Sequence, residues 1–338
     1  MKVWIKYLIG LALGIVAAFI LPQNKTIEFI SLISDLFIRI GRYMVVPLVF
    51  TCGICSVNKL RNSKLLWKTS LLTFLVIIAS TFILAAVGLI SILLVKLPRI
   101  PITVDAVSQT FTLDTKNLIF SLFPSSAFDA LREGAFLLVV LVFAFLIGWE
   151  SASDEITFKP VYALADSFSK LFYNISNFIT EILAVCIIAI SCYWFFNFRN
   201  VIAPGIYTPL IIMLLCDFVI VCGIIYPLIL HFVCHDPHPY KVLYASLAPM
   251  ILSFVSADSN IVIPLMNRHA RESLGIRGRC RGFTYPLFSI FSRGGSALVV
   301  CISFIAIWRS YSELSLHLEH ILWLFGMSFV LSFLLGGL

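Results

Sequence analysis

One apolar stretch, from Lys241 to Arg281, is interrupted halfway along by polar residues, and this interruption restricts the fold more than any other feature. The interruption is Ser256-Ala-Asp-Ser-Asn260. The apolar arms on either side, 242–254 and 261–274, are each about 14 residues long, so a helical arm reaches roughly 20 Å. A spanning helix must cross roughly 30 Å of hydrocarbon. Neither arm is therefore expected to span a bilayer alone.

Basic residues indicate that both ends of this stretch lie on the same side of a membrane. Lys241 precedes it, and the residues that follow include Arg268, Arg271, Arg277, Arg279 and Arg281. Positive charge is retained on the cytoplasmic side, so the pattern predicts a re-entrant helical hairpin over residues 239–276. A single crossing would place Asp258 near the bilayer centre, at a cost of roughly 2.5 to 3.5 kcal/mol. A broken structural helix is the alternative that the sequence leaves open.

Composition assigns the whole chain to the membrane. Apolar residues make up 60% of it, charged residues 12%, and the mean hydropathy is +1.03, which is incompatible with a soluble domain of 338 residues. Because a bilayer leaves no water for backbone groups, such a chain is predicted to be an all-α polytopic membrane protein. The net charge of +7 comes from basic residues in short loops, where such residues mark the cytoplasmic side of a membrane protein. The charge therefore does not indicate a nucleic-acid partner, and none is expected.

The predicted spans follow from the apolar runs and the loop charges. Lys2 and Lys6 precede the first run, and Lys59, Arg61, Lys64 and Lys68 follow the second, which predicts a cytoplasmic N-terminus in the plasma (inner) membrane. The first run could be a signal peptide, but a retained signal-anchor helix is favoured. The predicted spans are 1–22, 27–57, 71–95, 135–149, 161–196, 204–233, 283–308 and a last segment from 317, with a loop over 97–116 and short pieces over 117–134.

A second element is also broken. The span over 283–308 contains Ser289, Ser292, Arg293, Gly294, Gly295 and Ser296. An arginine beside two glycines at membrane depth predicts an unwound segment facing a cavity, although an arginine that reaches the interface from a helix end would give the same sequence. Two consecutive broken elements with polar centres indicate a secondary transporter site near the midplane.

Other clusters point less clearly to chemistry. Cys52 and Cys55 form a C-x-x-C within an apolar helix and are interpreted as small buried residues rather than a redox pair. A metal site is not expected at His231, Cys234, His235 and His238, because two prolines break the helix that would align them. Neither H-E-x-x-H nor G-x-S-x-G is present, so the chain is predicted not to be an enzyme and to need no cofactor beyond a coupling cation.

Four motifs resemble the dicarboxylate/amino acid:cation symporter family, the glutamate/aspartate-type transporters, over nearly the whole chain. The motifs are Arg42-Tyr-Met-Val-Val-Pro-Leu-Val-Phe50, Phe123-Pro-Ser-Ser-Ala-Phe-Asp-Ala-Leu131, the serine-rich run from Phe254 to Pro264, and Phe283-Thr-Tyr-Pro-Leu287 with Ser292-Arg-Gly-Gly-Ser296. The resemblance implies a secondary active transporter of a small anionic or zwitterionic solute, which works by an elevator movement as a homotrimer among membrane lipids.

The resemblance also implies a division of the chain and a set of site residues. Residues 1–60 and 97–200 would form scaffold helices 1–2 and 4–5. Residues 61–96 would form transport-domain helix 3, and 201–338 the rest of that domain, with helix 6, the hairpin, broken helix 7 and the first arm of a second hairpin. The implied substrate-binding residues are Ser256, Asp258, Ser259, Asn260, Arg293 and Ser296. The implied cation-binding residues are Ser80, Thr81, Ser292 and Gly294.

Two departures from the family pattern qualify this prediction. The family's broken helix reads Asn-Met-Asp-Gly-Thr, and Gly294 replaces its sodium-binding aspartate next to Arg293. A fixed positive charge repels sodium, which argues against ordinary sodium coupling through this position. The resemblance still implies a coupling cation, Na⁺ or H⁺, without deciding between them. We also expect Asp258 and Arg293 to form a buried ion pair. The second departure is length: the family's second hairpin arm and eighth helix are expected to be missing. The alternative is therefore a degenerate or truncated protein that does not transport.

Overall fold

The computed structural model describes residues 3–95, 98, 137–154, 156–202, 205, 207–276, 278–311 and 317–334. These residues form α-helices, one π-helical segment and short non-helical stretches, and no strand occurs among them. The helices are α1 (Val3–Ile20), α2 (Gln23–Arg42), α3 (Val45–Asn62), α4 (Leu66–Leu94), α5 (Leu137–Ser151), α6 (Lys159–Ile202), α7 (Thr208–Ile220), α8 (Tyr226–Phe232), α9 (Pro239–Ser256), α10 (Ile263–Glu272), α11 (Gly278–Phe291), α12 (Gly294–Tyr311) and α13 (Leu318–Leu334). The predicted all-α fold is confirmed.

Six helical segments in the described part of the chain are long and apolar enough to cross a bilayer. They are Val3–Ile20, Thr26–Asn62, Leu66–Leu94, Lys159–Arg199, Thr208–Phe232 and Cys280–Ser310. Large apolar side chains remain exposed on these helices, among them Phe19, Leu71, Phe178 and Val219. Exposed apolar surface on this scale fits a surface that faces lipid. The chain is a multi-pass membrane protein.

The first of two compact units contains residues 1–70, 140–204 and 227–289. Its centre is the long helix α6, against which α1, α2, α3, α9 and α10 all pack. Buried residues of α6, including Leu183 and Ile187, meet Leu252 of α9 and Ile261 and Leu265 at the start of the hairpin's second arm. The hairpin is thus anchored to α6 through apolar contacts.

Small residues on α1 let it approach α6 closely. A β-carbon at Gly10 would overlap with the Ile187 side chain, and one at Gly14 would overlap with Ser191. The two glycines are four positions apart, as in the small-x-x-x-small pattern by which membrane helices bring their backbones together. Tyr7, one turn earlier, is fully buried. Because only glycine fits at these two positions, the glycines fix how α1 is aligned along α6.

The second unit contains residues 71–139, 205–226 and 290–338. Its described core brings together α4, α7, α12 and α13 through residues such as Ile92, Met213, Ile302 and Leu324. A β-carbon at Gly88 of α4 would lie 2.8 Å from the carbonyl oxygen of Leu298 in α12, so these two helices also pack closely.

Two predicted spans are irregular in the structure. The span predicted over 27–57 consists of α2 and α3, which are separated at Tyr43 and Met44. Pro47 lies in the first turn of α3, where its missing N–H leaves no intrahelical bond unmade. The span predicted over 204–233 contains a π-helical segment, Val221–Ile225, between α7 and α8. Pro227 lies two residues after this segment and cannot donate the hydrogen bond that a regular α-helix would need there.

Several predictions fall outside the described residues. The loop over 97–116, the short pieces over 117–134 and the motif Phe123–Leu131 are among them. The predicted segment from 317 coincides with α13. The division into scaffold and transport helices stays a prediction.

Candidate functional site

The chain reverses direction between two helices at the polar interruption, while the re-entrant placement of this hairpin in a membrane stays a prediction. Helix α9 ends at Ser256, and Ala257 adopts a left-handed conformation with φ of 52°, while its N–H donates to the Ser253 carbonyl at 3.0 Å. A left-handed residue commonly ends a helix and reverses the chain. Helix α10 begins six residues later at Ile263, and α9 and α10 pack against each other. The polar interruption therefore forms the tip of a helical hairpin.

Side chains at the tip bind its own backbone. The Ser256 hydroxyl donates to the Leu252 carbonyl at 2.7 Å, and the Asn260 N–H donates to Oδ1 of Asp258 at 2.9 Å. The carboxylate of Asp258 is only 8% exposed. A short polar side chain that accepts a hydrogen bond two residues along the chain stabilises a tight turn. One oxygen of Asp258 is thus used to hold the bend.

The other oxygen of Asp258 pairs with an arginine that the sequence reasoning did not assign to the site. Nε of Arg42 donates to Oδ2 of Asp258. Arg42 is the last residue of α2, and its side chain is 57% exposed. A buried carboxylate requires such a partner, because desolvation of an unpaired charge costs several kcal/mol. The sequence signal that could have identified Arg42 as a site residue was its position at the start of the motif Arg42–Phe50. Its partner could not be inferred, because Asp258 is 216 residues away in the chain.

The hairpin tip also contacts the last turns of α11. The Ser289 hydroxyl lies 3.3 Å from the carbonyl oxygen of Ser259 and 3.2 Å from Oδ1 of Asn260. Ser289 precedes Ser292, where α11 has ended, by three residues. Within the first unit, the bend of the hairpin therefore lies against the end of the helix that was predicted to be broken.

A second charged cluster joins the hairpin to α6 and α1. Glu181 of α6 accepts from Nη1 of Arg268 at 2.8 Å and also pairs with the ammonium group of Lys6. The Arg268 guanidinium is 16% exposed and reaches the Thr180 hydroxyl at 3.3 Å as well. Two cations share Glu181, so its charge is compensated in the structure.

The predicted cation-binding residues lie in the second unit. Thr81 is fully buried, and its hydroxyl donates to the Ile77 carbonyl of its own helix at 2.8 Å, as expected for a hydroxyl inside a helix. Ser80 is a hydrogen-bond partner of Tyr226. Gly294 lies against Leu84, one turn after Ser80, and a β-carbon there would displace the Leu84 side chain. This unit therefore brings the start of α12 next to the hydroxyl pair of α4.

The predicted break occurs between α11 and α12. Ser292 and Arg293 are not helical, and the Arg293 N–H donates to the Phe291 carbonyl at 2.9 Å. The hydroxyl of Ser296, in the first turn of α12, donates back to the Arg293 carbonyl at 2.8 Å. Ser292 and Gly295 are exposed in the structure. The helix is thus interrupted at Ser292 and Arg293, while the cavity that this segment was expected to face stays a prediction.

The predicted substrate site draws on both units. Ser256, Asp258, Ser259 and Asn260 lie together at the hairpin tip in the first unit, whereas Arg293 and Ser296 belong to the second. The ion pair between Asp258 and Arg293, and the assembly of all six residues into one site, remain predictions.

The second unit contains a buried acid on α7. Asp217 of α7 is 3% exposed and accepts from the Ser91 hydroxyl at 2.7 Å, while its Oδ2 has no partner among the described residues. It lies one turn before the π-helical segment, whose first N–H donates to the Asp217 carbonyl. Such irregular turns are frequent at functional positions.

No described group of three or more histidine, cysteine or acidic side chains is arranged to hold a metal ion. His231, the first of four residues with roughly ligand-like spacing, lies with Nδ1 3.3 Å from the carbonyl oxygen of Asp236. Cys52 and Cys55 are free thiols, and Cys55 is buried.

The chain is similar to several transport proteins. It is 28% identical over 201 residues to C4-dicarboxylate transport protein 3 of Ralstonia nicotianae, an alignment that covers 54% of this chain and 43% of that protein. It is 22% identical over 318 residues to the proton/sodium-glutamate symport protein of Bacillus subtilis, covering 90% and 72%. An uncharacterised symporter of Haemophilus influenzae is 22% identical over 303 residues, covering 81% and 66%.

The chain thus spans between less than half and about three quarters of the length of these relatives. Residues 3–337 match the sequence profile of the sodium:dicarboxylate symporter family. That family consists of symporters, which agrees with the prediction of a transport protein rather than an enzyme. The profile covers both units, the hairpin and the broken helix, and the chain belongs to the sodium:dicarboxylate symporter family.

Proposed function

We propose that this chain is a secondary active transporter of a small anionic or zwitterionic solute, of the dicarboxylate or amino acid class. The observation that carries the proposal is the helical hairpin whose polar tip is fixed by Arg42 and Ser289. Non-helical backbone at membrane depth is tolerated where it lines a site, and a second break follows at Ser292. The names of two relatives, a C4-dicarboxylate transport protein and a glutamate symport protein, support the solute class.

The charges at the tip favour an anionic or zwitterionic solute. Arg42 neutralises Asp258, so a carboxylate that approaches Ser259 and Asn260 meets no uncompensated negative charge. The predicted contribution of Arg293 would add a guanidinium, which matches the planar geometry of a carboxylate. Ser256 and Ser296 would supply hydroxyls around it.

We propose an elevator movement, with residues 1–60 and 97–200 as scaffold and 61–96 and 201–338 as transport domain. In that division, the ion pairs Arg42–Asp258 and Glu181–Arg268 both join a scaffold helix to the hairpin. They must therefore break in each cycle. We expect Glu181→Gln to change the transport rate while leaving the solute KM within about twofold, because Glu181 lies outside the proposed solute site.

The coupling cation is proposed to be Na⁺ or H⁺. Ser80 and Thr81 on α4 and the start of α12 are the proposed cation-binding region, with Ser292 and Gly294 as further members. The absence of a carboxylate at Gly294 and the presence of Arg293 argue against ordinary Na⁺ coordination at this position. We further propose a homotrimer in the plasma (inner) membrane, with lipid around it and a cytoplasmic N-terminus.

Uptake by proteoliposomes tests the function directly. Radiolabelled succinate, malate, aspartate and glutamate would each be offered with an inward Na⁺ gradient, with an inward H⁺ gradient, and with neither. The proposal predicts uptake of at least one solute above empty vesicles, and counterflow of the same solute without any gradient. A folded protein that gives neither uptake nor counterflow with any of the four would contradict it.

The second candidate is a protein of the same fold that does not transport. The sequence Ser292-Arg-Gly-Gly-Ser296 favours it, because the family's sodium-binding carboxylate is missing there. Binding separates the two candidates: a non-transporting protein is stabilised by a solute that it never moves across the vesicle wall. Thermal unfolding with each solute, run beside the counterflow assay, distinguishes loss of binding from loss of movement.

A further inference from the structure

A strongly basic cavity lies in the first unit, away from the hairpin tip. We call it the basic cavity; its volume is about 520 Å³, and Lys59, Asp166, Lys170, Tyr173, Arg271 and Arg281 are among its lining residues. Volumes of this size are typical of small-molecule sites. A second cavity of about 770 Å³ adjoins it through the shared residue Lys59 and adds Lys159.

The formal charges around the basic cavity do not balance. Its lining contains four cationic side chains and one carboxylate, Asp166. Both lysines already use that carboxylate, Lys170 at 2.6 Å and Lys59 at 3.4 Å. Neither Arg271 nor Arg281 forms an ion pair within the described part of the chain. The cavity therefore has an excess of positive charge that no described carboxylate compensates.

Two buried polar atoms of lining residues also have no partner among the described residues. Nη1 of Arg281 donates to the Asn267 carbonyl at 2.9 Å, but its Nε is buried and unpaired. The hydroxyl of Tyr173 is likewise buried and unpaired, while the Arg271 guanidinium lies 5.0 Å from the centre of the Tyr173 ring. Buried donors without acceptors are rare in proteins, because each costs about 1 to 3 kcal/mol. An acceptor from outside the chain would satisfy both.

Close packing of α11 on α3 places Arg281 at this cavity. A β-carbon at Gly282 would overlap with the Ser56 hydroxyl and the Cys52 carbonyl, so the absence of a side chain lets the two helices touch. Arg281 is the neighbouring residue, and Cys52 and Ser56 also line the cavity. The arginine is thus held by backbone packing and not only by its own contacts.

We propose that the basic cavity binds the phosphate group of an anionic phospholipid. The arginines present forked donors that match phosphate oxygens, and the lysines add point charges. The cavity lies at the ends of α3 and α10 and the start of α11, next to the basic residues that predict the cytoplasmic face. Basic pockets between membrane helices on that face bind anionic head groups. Free phosphate offers the same chemistry, and the experiment separates the two sources.

The test measures thermal unfolding of the delipidated full chain in neutral detergent. Phosphatidylglycerol, phosphatidylcholine, inorganic phosphate, succinate and potassium chloride at matched ionic strength would be added separately. Phosphatidylglycerol should raise the unfolding temperature in a saturable way, and phosphatidylcholine and chloride should not. An equal rise with inorganic phosphate would assign the site to free phosphate instead of a lipid. A rise with succinate alone would overturn the proposal.

Variants locate the effect. Arg281→Gln should weaken phosphatidylglycerol binding about tenfold or more, since it removes a charge-assisted hydrogen bond. Lys170→Gln should also weaken phosphatidylglycerol binding. Because the Lys170 side chain is 75% exposed, this substitution should not impair folding, so the test still works if Arg281→Gln fails to fold. Lys68→Gln is the matched control, because Lys68 is exposed in the same unit and is not among the lining residues. Equal loss of lipid binding in all three variants would overturn the proposal.

The assay does not depend on solute transport, so it can fail while the proposed function stands. Native mass spectrometry gives a second readout, in which the wild-type chain retains a phosphatidylglycerol molecule that Arg281→Gln releases. If the wild-type chain retains no lipid and phosphatidylglycerol does not raise its unfolding temperature, the proposed lipid site is refuted.

Discussion

The ion pair between Arg42 and Asp258 gives the sharpest test of the hairpin. Two unit charges 4 Å apart attract by about 1 kcal/mol in water and about 4 kcal/mol at an effective dielectric constant near 20. Asp258 is 8% exposed and Arg42 is 57% exposed, so the environment is intermediate. We therefore expect a coupling energy of about 2 kcal/mol between the two side chains, below the 3 to 5 kcal/mol for breaking a fully buried pair.

The two single substitutions should not cost the same. Arg42→Ala leaves a buried carboxylate whose remaining described donor is the Asn260 N–H, and we expect it to lower the free energy of unfolding by about 2 to 3 kcal/mol. Asp258→Ala leaves Arg42 in contact with water, and it loses the ion pair and one hydrogen bond worth about 1 kcal/mol. The double variant should be little worse than the more damaging single variant, because the second change removes the charge that the first one stranded.

The measurement is denaturant unfolding in a fixed detergent micelle, followed by tryptophan fluorescence. Arg39→Ala is the matched control, because Arg39 is exposed one turn earlier on α2 and forms no ion pair in the described ranges. It should change stability by less than about 0.5 kcal/mol. If the costs of Arg42→Ala and Asp258→Ala add to within about 0.5 kcal/mol, the ion pair is refuted. The same cycle with Arg293→Ala tests the pairing that the sequence suggested.

Three further predictions concern other helices. Gly14→Leu should destabilise the protein by about 1 to 3 kcal/mol, as measured by denaturant unfolding, because a side chain there meets α6; Ala12→Leu, on the exposed face of α1, should not. Asp217→Asn should leave the thermal unfolding temperature unchanged or higher, since it removes a buried charge and keeps an acceptor for Ser91, and a large loss would contradict this. The double variant Arg293→Met, Gly294→Asp restores the family's residues, and uptake assays should show greater dependence on a Na⁺ gradient; unchanged dependence would contradict the proposed role of this position.

The chain reversal between α9 and α10 could be predicted because its signal is local. Polar residues inside an apolar run, basic residues at both ends and arms too short to span a bilayer all lie within 41 residues. The observed arms, α9 and α10, differ from the predicted ones by a few residues at each end. The break at Ser292 and Arg293 was predicted from glycines and hydroxyls for the same reason. Local sequence determines where a membrane helix can stop.

The partners of the charged residues could not be predicted in the same way. Arg42 and Asp258 are 216 residues apart, and Lys6 and Glu181 are 175 apart. No periodicity connects such positions, because the pairing depends on which helices pack together. The division of the second span at Tyr43 and Met44 was missed although Pro47 gave a signal. The π-helical segment after Asp217 was also missed, although Pro227 was a sequence signal for an irregular helix there.

The contacts between the hairpin and α6 suggest what limits the proposed movement. Leu183 and Ile187 of α6 meet Leu252, Ile261 and Leu265 of the hairpin, and these side chains are all apolar. An apolar surface that slides along another keeps much of its buried area, since dispersion and hydrophobic contacts have little directionality. Ion pairs such as Arg268–Glu181 have fixed partners and lose their energy once the helices shift by one turn. The ion pairs, rather than the larger apolar contact, should therefore set the barrier to hairpin movement.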